Sequence, residues 1–246
     1  TINVREDNGD HTSNYWMSLQ SREHLRDNAE SLAYDTTLTT HSIDPFGDID
    51  AFRFTGHSGE RVIIRMDPEG INTRFRGSLE LFSPSDSLLK SAYDSYTSAW
   101  GEYGGRQVAF VDYVLPEDGT YTINVREDNG DHTSNYWMSQ QCREDLRDNA
   151  DTLKINESNL SLEITRFGQI KAFIFLVNQA DTTEFYIKRT SGKLEVSYQL
   201  LFNDSVIYSS LNSSKVILPD SYFENSGEYV LFVFDQNGDE TGTINI

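Results

Sequence analysis

Apolar and polar residues alternate with a period of two through most of this chain. The runs AFRF (51–54), RVIIRM (61–66), SLELF (78–82), QVAFVDYVL (107–115), TYTINV (120–125) and NYWMS (135–139) all carry the alternation, with Gly, Asn, Asp and Ser between them. Such a pattern predicts many short antiparallel strands joined by tight turns, each strand turning one face toward a core. Two stretches break it, SREHLRDNAESLA (21–33) and CREDLRDNADTL (142–153). Both are short and dense in charge, which suits linkers carrying at most one helical turn.

The pattern also repeats at long range. TINVREDNGDHTSNYWMS fills residues 1–18 and returns letter for letter at 122–139, and residues 1–32 match 122–153 except at Leu19/Gln140, Ser21/Cys142, His24/Asp145, Glu30/Asp151 and Ser31/Thr152. The likeness continues at the same offset of 121, with GDIDAFRF (47–54) against GQIKAFIF (168–175). It then continues at an offset of 108, with GTYTINVREDNGDHTSNYWM (119–138) against GEYVLFVFDQNGDETGTINI (227–246). A fixed period of this length points to tandem units, each large enough to bury its own core. Residues 1–20 read as the closing hairpin of a preceding unit, 21–141 as unit A, and 142–246 as a shorter, diverged unit B. The deficit of 13 residues between the two offsets falls mostly opposite SAYDSYTSAWGEYGGR (91–106). The expected fold is all-β, two tandem antiparallel sandwiches of the jelly-roll kind with sheets about 10 Å apart. In unit A, Phe52, Phe54, Val62, Ile64, Leu79, Leu81, Val108, Phe110, Tyr121, Ile123 and Val125 are expected to line the interior. The orphan hairpin is expected to be ordered, because unpaired strand edges are costly alone.

Charge narrows the partners. Among 246 residues, 39 are acidic and 20 basic, a net charge of -19. That balance repels nucleic acid and anionic lipid and gathers divalent cations. No apolar run approaches the roughly 20 residues that cross a bilayer as a helix. The single cysteine, Cys142, has no internal disulfide partner and reads as a small side chain without a redox role. There is no His-Glu-x-x-His, Gly-x-Ser-x-Gly, phosphate-binding Gly loop or Cys/His cluster, so a non-enzyme is expected. The nearest nucleophile motif, GHSGE (56–60), reads as a surface turn, and the acids of REDNGD (126–131) and DQNGDE (235–240) as plain hairpin turns rather than a Ca²⁺ loop.

Three segments in order resemble a known family: GDIDAFRFTGHSGERVIIRM (47–66), LELFSPSDSLLKS (79–91) and LPEDGTYTINV (115–125) followed by NYWMS. They are similar to the bacterial pre-peptidase C-terminal domain, a β-sandwich of secreted proteases and surface proteins to which the collagen-binding domains of clostridial collagenases are related. The sequence departs from the family where LRDN (25–28) stands for Glu-Pro-Asn-Asp, and where Asp86 replaces a turn Gly. The resemblance implies that linker acids and the Asp-x-Asp turn hold Ca²⁺, which here gives Glu23, Asp27, Asn28, Asp48 and Asp50. A solvated acidic surface is the competing reading. In unit B the turn pair becomes Gln169 and Lys171, so calcium is expected in A and not in B. A second candidate is the aromatic stretch of unit A, Tyr93, Tyr96, Trp100 and Tyr103, whose rings suit a polysaccharide or extracellular protein ligand. An ordinary edge strand and loop explain it equally well. The function expected is a non-catalytic, calcium-stabilised sandwich array of a large secreted or cell-surface bacterial protein, acting as spacer or adhesive module beside neighbouring repeats. The alternative is an accessory substrate-binding domain of an exported hydrolase.

Overall fold

The computed structural model describes residues 17–68, 75–93, 95–96, 106–107, 109–154, 160–178, 185–210, 215–218 and 223–246. Most of the hairpin at 1–20, with Val108, Trp100 and Tyr103, lies outside these residues, and the side chains of Tyr96 and Phe110 do as well.

The first half of the chain runs α1 (Arg22–Asp27), β1 (Glu30–Ser31), β2 (Thr36–Ile43), β3 (Ile49–Gly56), β4 (Arg61–Pro68), β5 (Gly77–Phe82), β6 (Leu88–Tyr93), β7 (Ser95–Tyr96), β8 (Arg106–Gln107), β9 (Ala109–Val114), β10 (Gly119–Glu127) and β11 (Ser134–Cys142). The second half runs α2 (Arg143–Asp148), β12 (Asp151–Thr152), β13 (Ser161–Ile164), β14 (Ile170–Val177), β15 (Phe185–Arg189), β16 (Val196–Phe202), β17 (Ser205–Ser210), β18 (Lys215–Leu218), β19 (Gly227–Asp235) and β20 (Gly242–Asn245). Each half makes one five-stranded and one four-stranded sheet. In the first the orders are β1-β3-β10-β5-β6 and β2-β11-β4-β9, with β7 and β8 as a separate ribbon. In the second they are β12-β14-β19-β16-β17 and β13-β20-β15-β18.

Alternation decides which residues enter the cores. On β10, Tyr121, Ile123 and Val125 join Phe52 and Phe54 of β3 and Leu79 and Leu81 of β5 inside the first sandwich. The facing sheet contributes Val62 and Ile64 of β4 and Tyr136 and Met138 of β11. The second core repeats the plan with Phe173, Phe175, Tyr229, Leu231 and Val233. The Asp-Gly-x-Tyr and Ser-Gly-x-Tyr segments close each unit in the same way: the Tyr121 hydroxyl donates to the Glu117 carbonyl at 2.5 Å, and that of Tyr229 to Asn225 at 2.9 Å. This is the backbone-pinning tyrosine found at corners of other β-sandwiches.

The two charged linkers hold more helix than the sequence suggests. Each forms six helical residues and ends at an asparagine whose side-chain amide donates to the carbonyl four residues back, Asn28 to His24 and Asn149 to Asp145, both at 2.8 Å. Each of these carbonyls also accepts the asparagine's own N–H, at 3.1 and 3.0 Å, so the side chain reinforces the end of the short helix. Cys142 precedes the second helix, buried, and burial pushes its thiol up to about 12. It therefore stays protonated and packs as a small apolar group.

Candidate functional site

The five metal candidates, four acids and Asn28, do not converge on one point. A pocket of about 290 Å³ between α1 and β3 is lined by Asn28 and Asp50 together with His24, Glu30 and His41. Glu30 was not among the sequence candidates, although it follows Asn28 by two residues. The Asp48 carboxylate braces the turn before β3, accepting from Ile49 N at 2.9 Å, and it also accepts from Gln20 Nε2 at 3.4 Å. Asp27 pairs with Arg26 at 3.0 Å and lines a different groove with Arg53 and Thr122, while Glu23 sits exposed in the first turn of α1.

Within the pocket, Asp50 accepts from the Tyr136 hydroxyl at 2.7 Å, and Glu30 meets His41 Nε2 at 3.1 Å. Burial pushes the Asp50 carboxyl up, the Asp48 and Glu30 charges add to the rise, and the Tyr136 hydroxyl and His41 oppose it. Crowded, partly desolvated carboxylates are relieved by a hard cation. Asn28, Glu30, Asp48 and Asp50 carry oxygens of the type Ca²⁺ takes, but Asp48 does not line the pocket and the three carboxylates are not drawn together within 4.8 Å; Asp27 lines the other groove.

Of the aromatic candidates, Tyr93 is exposed at the end of β6, with the Arg76 guanidinium 5.9 Å from its ring centre. Tyr96 pairs with Arg106 in the β7–β8 ribbon. GHSGE is a braced turn: Ser58 N donates to Asp118 at 2.8 Å and Ser58 Oγ to the Pro116 carbonyl at 3.2 Å. Among the described residues, three metal-type ligand atoms lie within 4.8 Å of one another at Glu127, Asp131 and His132. Glu127 is spent there on the backbone, accepting from Arg76 N at 3.2 Å and Asp131 N at 3.0 Å. Asp235 does the equivalent in the second unit, accepting from Glu195 N at 2.7 Å.

The most heavily built region is the junction between the sandwiches. The outward residues of β4 and β11 lie against the outer face of β14, β16 and β19. Ile63 packs with Ile170, Ala172, Leu201, Val230 and Phe232, and Leu146 and Ala150 from the α2 linker close the edge. Arg65 crosses this apolar layer with 2% of its surface exposed. Its Nη2 donates to the carbonyls of Asp235 and Gln236, both at 2.8 Å, and its guanidinium lies 5.3 Å from the Phe234 ring centre and 6.0 Å from that of Trp137. Burial lowers its pKa to about 10, against the opposing charges of Asp235, Asp67 and Asp239. Around it, Ser139 Oγ donates to the Gly168 carbonyl at 3.2 Å, and the Gln141 amide exchanges two bonds with Ile170, giving to its carbonyl at 3.2 Å and taking from its N–H at 3.0 Å. At the rim, Arg166 holds both carboxylate oxygens of Asp35 at 2.8 Å.

No protein-family model matches the chain, and no curated protein matches it. Among solved structures it is similar to the pre-peptidase C-terminal domain of a collagenase from Bacillus anthracis, with 16% identity, 46% of this chain and 95% of that chain covered, and a TM-score of 0.34. It is similar to PliG, a periplasmic inhibitor of g-type lysozyme from Salmonella Typhimurium, with 22% identity, 47% and 98% covered, and a TM-score of 0.32. A CUB1-EGF-CUB2 fragment of human MASP-1/3 is similar over 87% of this chain and 98% of its own, at 7% identity and a TM-score of 0.26. These are likenesses of fold at low identity. Among the described residues, no helix is long and apolar enough to cross a membrane.

Proposed function

We propose that the chain is a non-catalytic tandem of β-sandwiches acting as a spacer or adhesive segment of a large secreted or cell-surface bacterial protein, each sandwich serving as a fixed mount for the next. The junction carries this reading. A flexible tether needs only a linker, whereas here an apolar layer, a buried arginine and hydrogen bonds to specific carbonyls restrict the two bodies to one relation. The interface mixes core-like packing with directional bonds, so sliding or tilting breaks several contacts together. We assign any polysaccharide or protein contact to exposed Tyr93 and the aromatic residues after it. Spin labels at Lys90→Cys and Glu163→Cys test the mount, since Cys142 is buried and protonated. One narrow distance distribution is expected; a broad one would mean the sandwiches swing freely and are not a spacer of fixed geometry.

We further propose that Asn28, Glu30, Asp48 and Asp50 take Ca²⁺ in the first sandwich. In the second, Asp151, Gln169 and Lys171 stand at the positions of Glu30, Asp48 and Asp50, and the lysine ammonium replaces the ion. At a hundred times its dissociation constant an ion adds about 2.7 kcal/mol. Millimolar Ca²⁺ is expected to raise the melting temperature of the chelator-treated protein by roughly 5–10 °C, and Asp48→Asn/Asp50→Asn to abolish the rise. An equal rise in that variant would place the effect elsewhere on the acidic surface.

A further inference from the structure

We propose that the outer face of β3 and β10 is a docking face for a further sandwich of the same kind, seated as the first is seated on the second, and presenting an acidic or neutral side chain where the first presents Arg65. The proposal rests on the reading of the sandwiches as fixed mounts for one another.

Residues 17–20 already make part of that seating's contacts. Ser18 Oγ donates to the Gly47 carbonyl at 3.0 Å, as Ser139 Oγ does to Gly168, and both members of the pair are displaced by 121 residues. Gln20 differs from its counterpart: its Nε2 donates to the Asp48 carboxylate at 3.4 Å, one position before Ile49, whereas Gln141 exchanges two bonds with the backbone of Ile170. The path onward is the same too. The short strand β1 runs parallel to β3 as β12 does to β14, and Leu32 N donates to the Arg53 carbonyl as Leu153 N does to that of Ile174, both at 2.8 Å.

The exposure of the same four residues says what is missing over them. Met17 is 57% exposed and Leu19 80%, whereas their counterparts Met138 and Gln140 are each 1% exposed, Met138 within the first core. Their counterparts lie on the last strand of the first sandwich, β11, and are covered by the body of that sandwich.

The chemistry of the docking face then restricts the occupant. The carbonyls of Asp235 and Gln236 receive Arg65 from the neighbouring sandwich. Their counterparts, the carbonyls of Glu127 and Asp128, receive the first sandwich's own Arg126, at 3.5 and 3.1 Å, with Glu80 Oε1 also held by Arg126 at 3.3 and 3.2 Å. A second guanidinium brought to this spot meets Arg126, whose charge Glu80 offsets in part, and two carbonyls that already have a donor. Beside it Asn124 is buried, its Oδ1 without a hydrogen bond, where the second sandwich places Phe232. The face is thus a more polar version of the one that accepts Arg65.

The test extends the whole chain by a copy of residues 21–121 placed before Thr1. Because residues 1–18 repeat 122–139, the addition rebuilds the first sandwich's sequence around them, with Leu19 for Gln140. Two versions are made, one keeping arginine at position 65 of the added copy and one carrying Arg65→Glu there only. Peroxide oxidation of Met17 reports whether the added sandwich closes, and spin-label distances between it and Lys90→Cys report whether it docks. The expected results are loss of Met17 reactivity to the level of Met138 in both versions, a narrow distance distribution with glutamate and a broad one with arginine. Met17 as reactive as in the unextended chain, a broad distribution in both versions, or an arginine version docking as firmly as the glutamate version would each overturn the proposal. Failure of the parent reading is separate: it appears as a broad Lys90–Glu163 distribution in the unextended chain.

Discussion

Arg65→Met is expected to cost about 3–5 kcal/mol, the usual penalty for removing one partner of a buried charged cluster, and to let the two sandwiches unfold as separate transitions in urea. Methionine keeps much of the apolar stem, so the loss isolates the guanidinium. The buried Asp235 carbonyl loses its donor, worth roughly 1–3 kcal/mol when left open, the half-buried Gln236 carbonyl loses one as well, and the stacking on Phe234 and Trp137 goes with them. The pH dependence is a sharper check. Burial pushes the Asp235 carboxyl up to about 6, and Arg65 is among the groups holding it down. The folded chain binds this proton more tightly than the unfolded chain, so the group's contribution is fully present below about pH 4 and lost as pH rises through about 6. Without Arg65 the folded pKa climbs further and the loss extends to higher pH. The variant's deficit should therefore be larger at pH 8 than at pH 5. A single unfolding transition with an equal deficit at both pH values would show that Arg65 neither couples the sandwiches nor senses Asp235.

Gly168→Ala is expected to cost about 2–4 kcal/mol through overpacking at the junction combined with backbone strain. Gly168 has φ +66, and a Cβ there would press into Ser139 Oγ and lie 2.7 Å from the Trp137 ring. Neither neighbour can retreat, since both are buried between the sheets. Gly59→Ala serves as the control: φ is +92 with nothing within 4 Å, so only the backbone term remains. Hydrogen exchange should show the amides of Ser139 and Ile170 losing protection in Gly168→Ala while those of Ile123 and Leu231 in the two cores keep theirs. Costs equal to that of Gly59→Ala would mean that the junction has room to spare.

The cores were legible because they obey a local rule. Phe52, Phe54, Ile123 and Val125 fall on alternating positions, and no distant residue is needed to tell which way they face. The junction was not legible from the same rule. Arg65, Ser139 and Gln141 occupy the polar positions of β4 and β11, which in an isolated sandwich are the solvent side; only the second sandwich makes them interior. A signal was present in the second unit, where KAFIFLV and EYVLFVF are apolar at nearly every position, the mark of strands covered on both faces. The metal candidates were scattered for a helical reason. Asp27 and Asn28 are adjacent in sequence but about 100° apart around α1, so one faces the pocket and the other the groove. Glu30 was hidden because it reads as one more acid of a charged linker until β1 pairs with β3.

The burial of both faces of β11 means that one strand answers to two constituencies. Its even-numbered residues Tyr136, Met138 and Gln140 must suit their own sandwich, and its odd-numbered residues Trp137, Ser139 and Gln141 must suit the next. A substitution at an even position can be compensated within the same unit, whereas one at an odd position needs an answering change some 30 to 100 residues downstream, at Gly168, Ile170 or Gly238. The near-identical duplication spans most of both sets and much of the linker after them, differing at Leu19/Gln140 and at four linker positions, while the accepting strands have drifted further apart between the units. Variation in such a protein is therefore partitioned by joint rather than by domain, and the segment inherited as a block is the end of one sandwich together with its hold on the next.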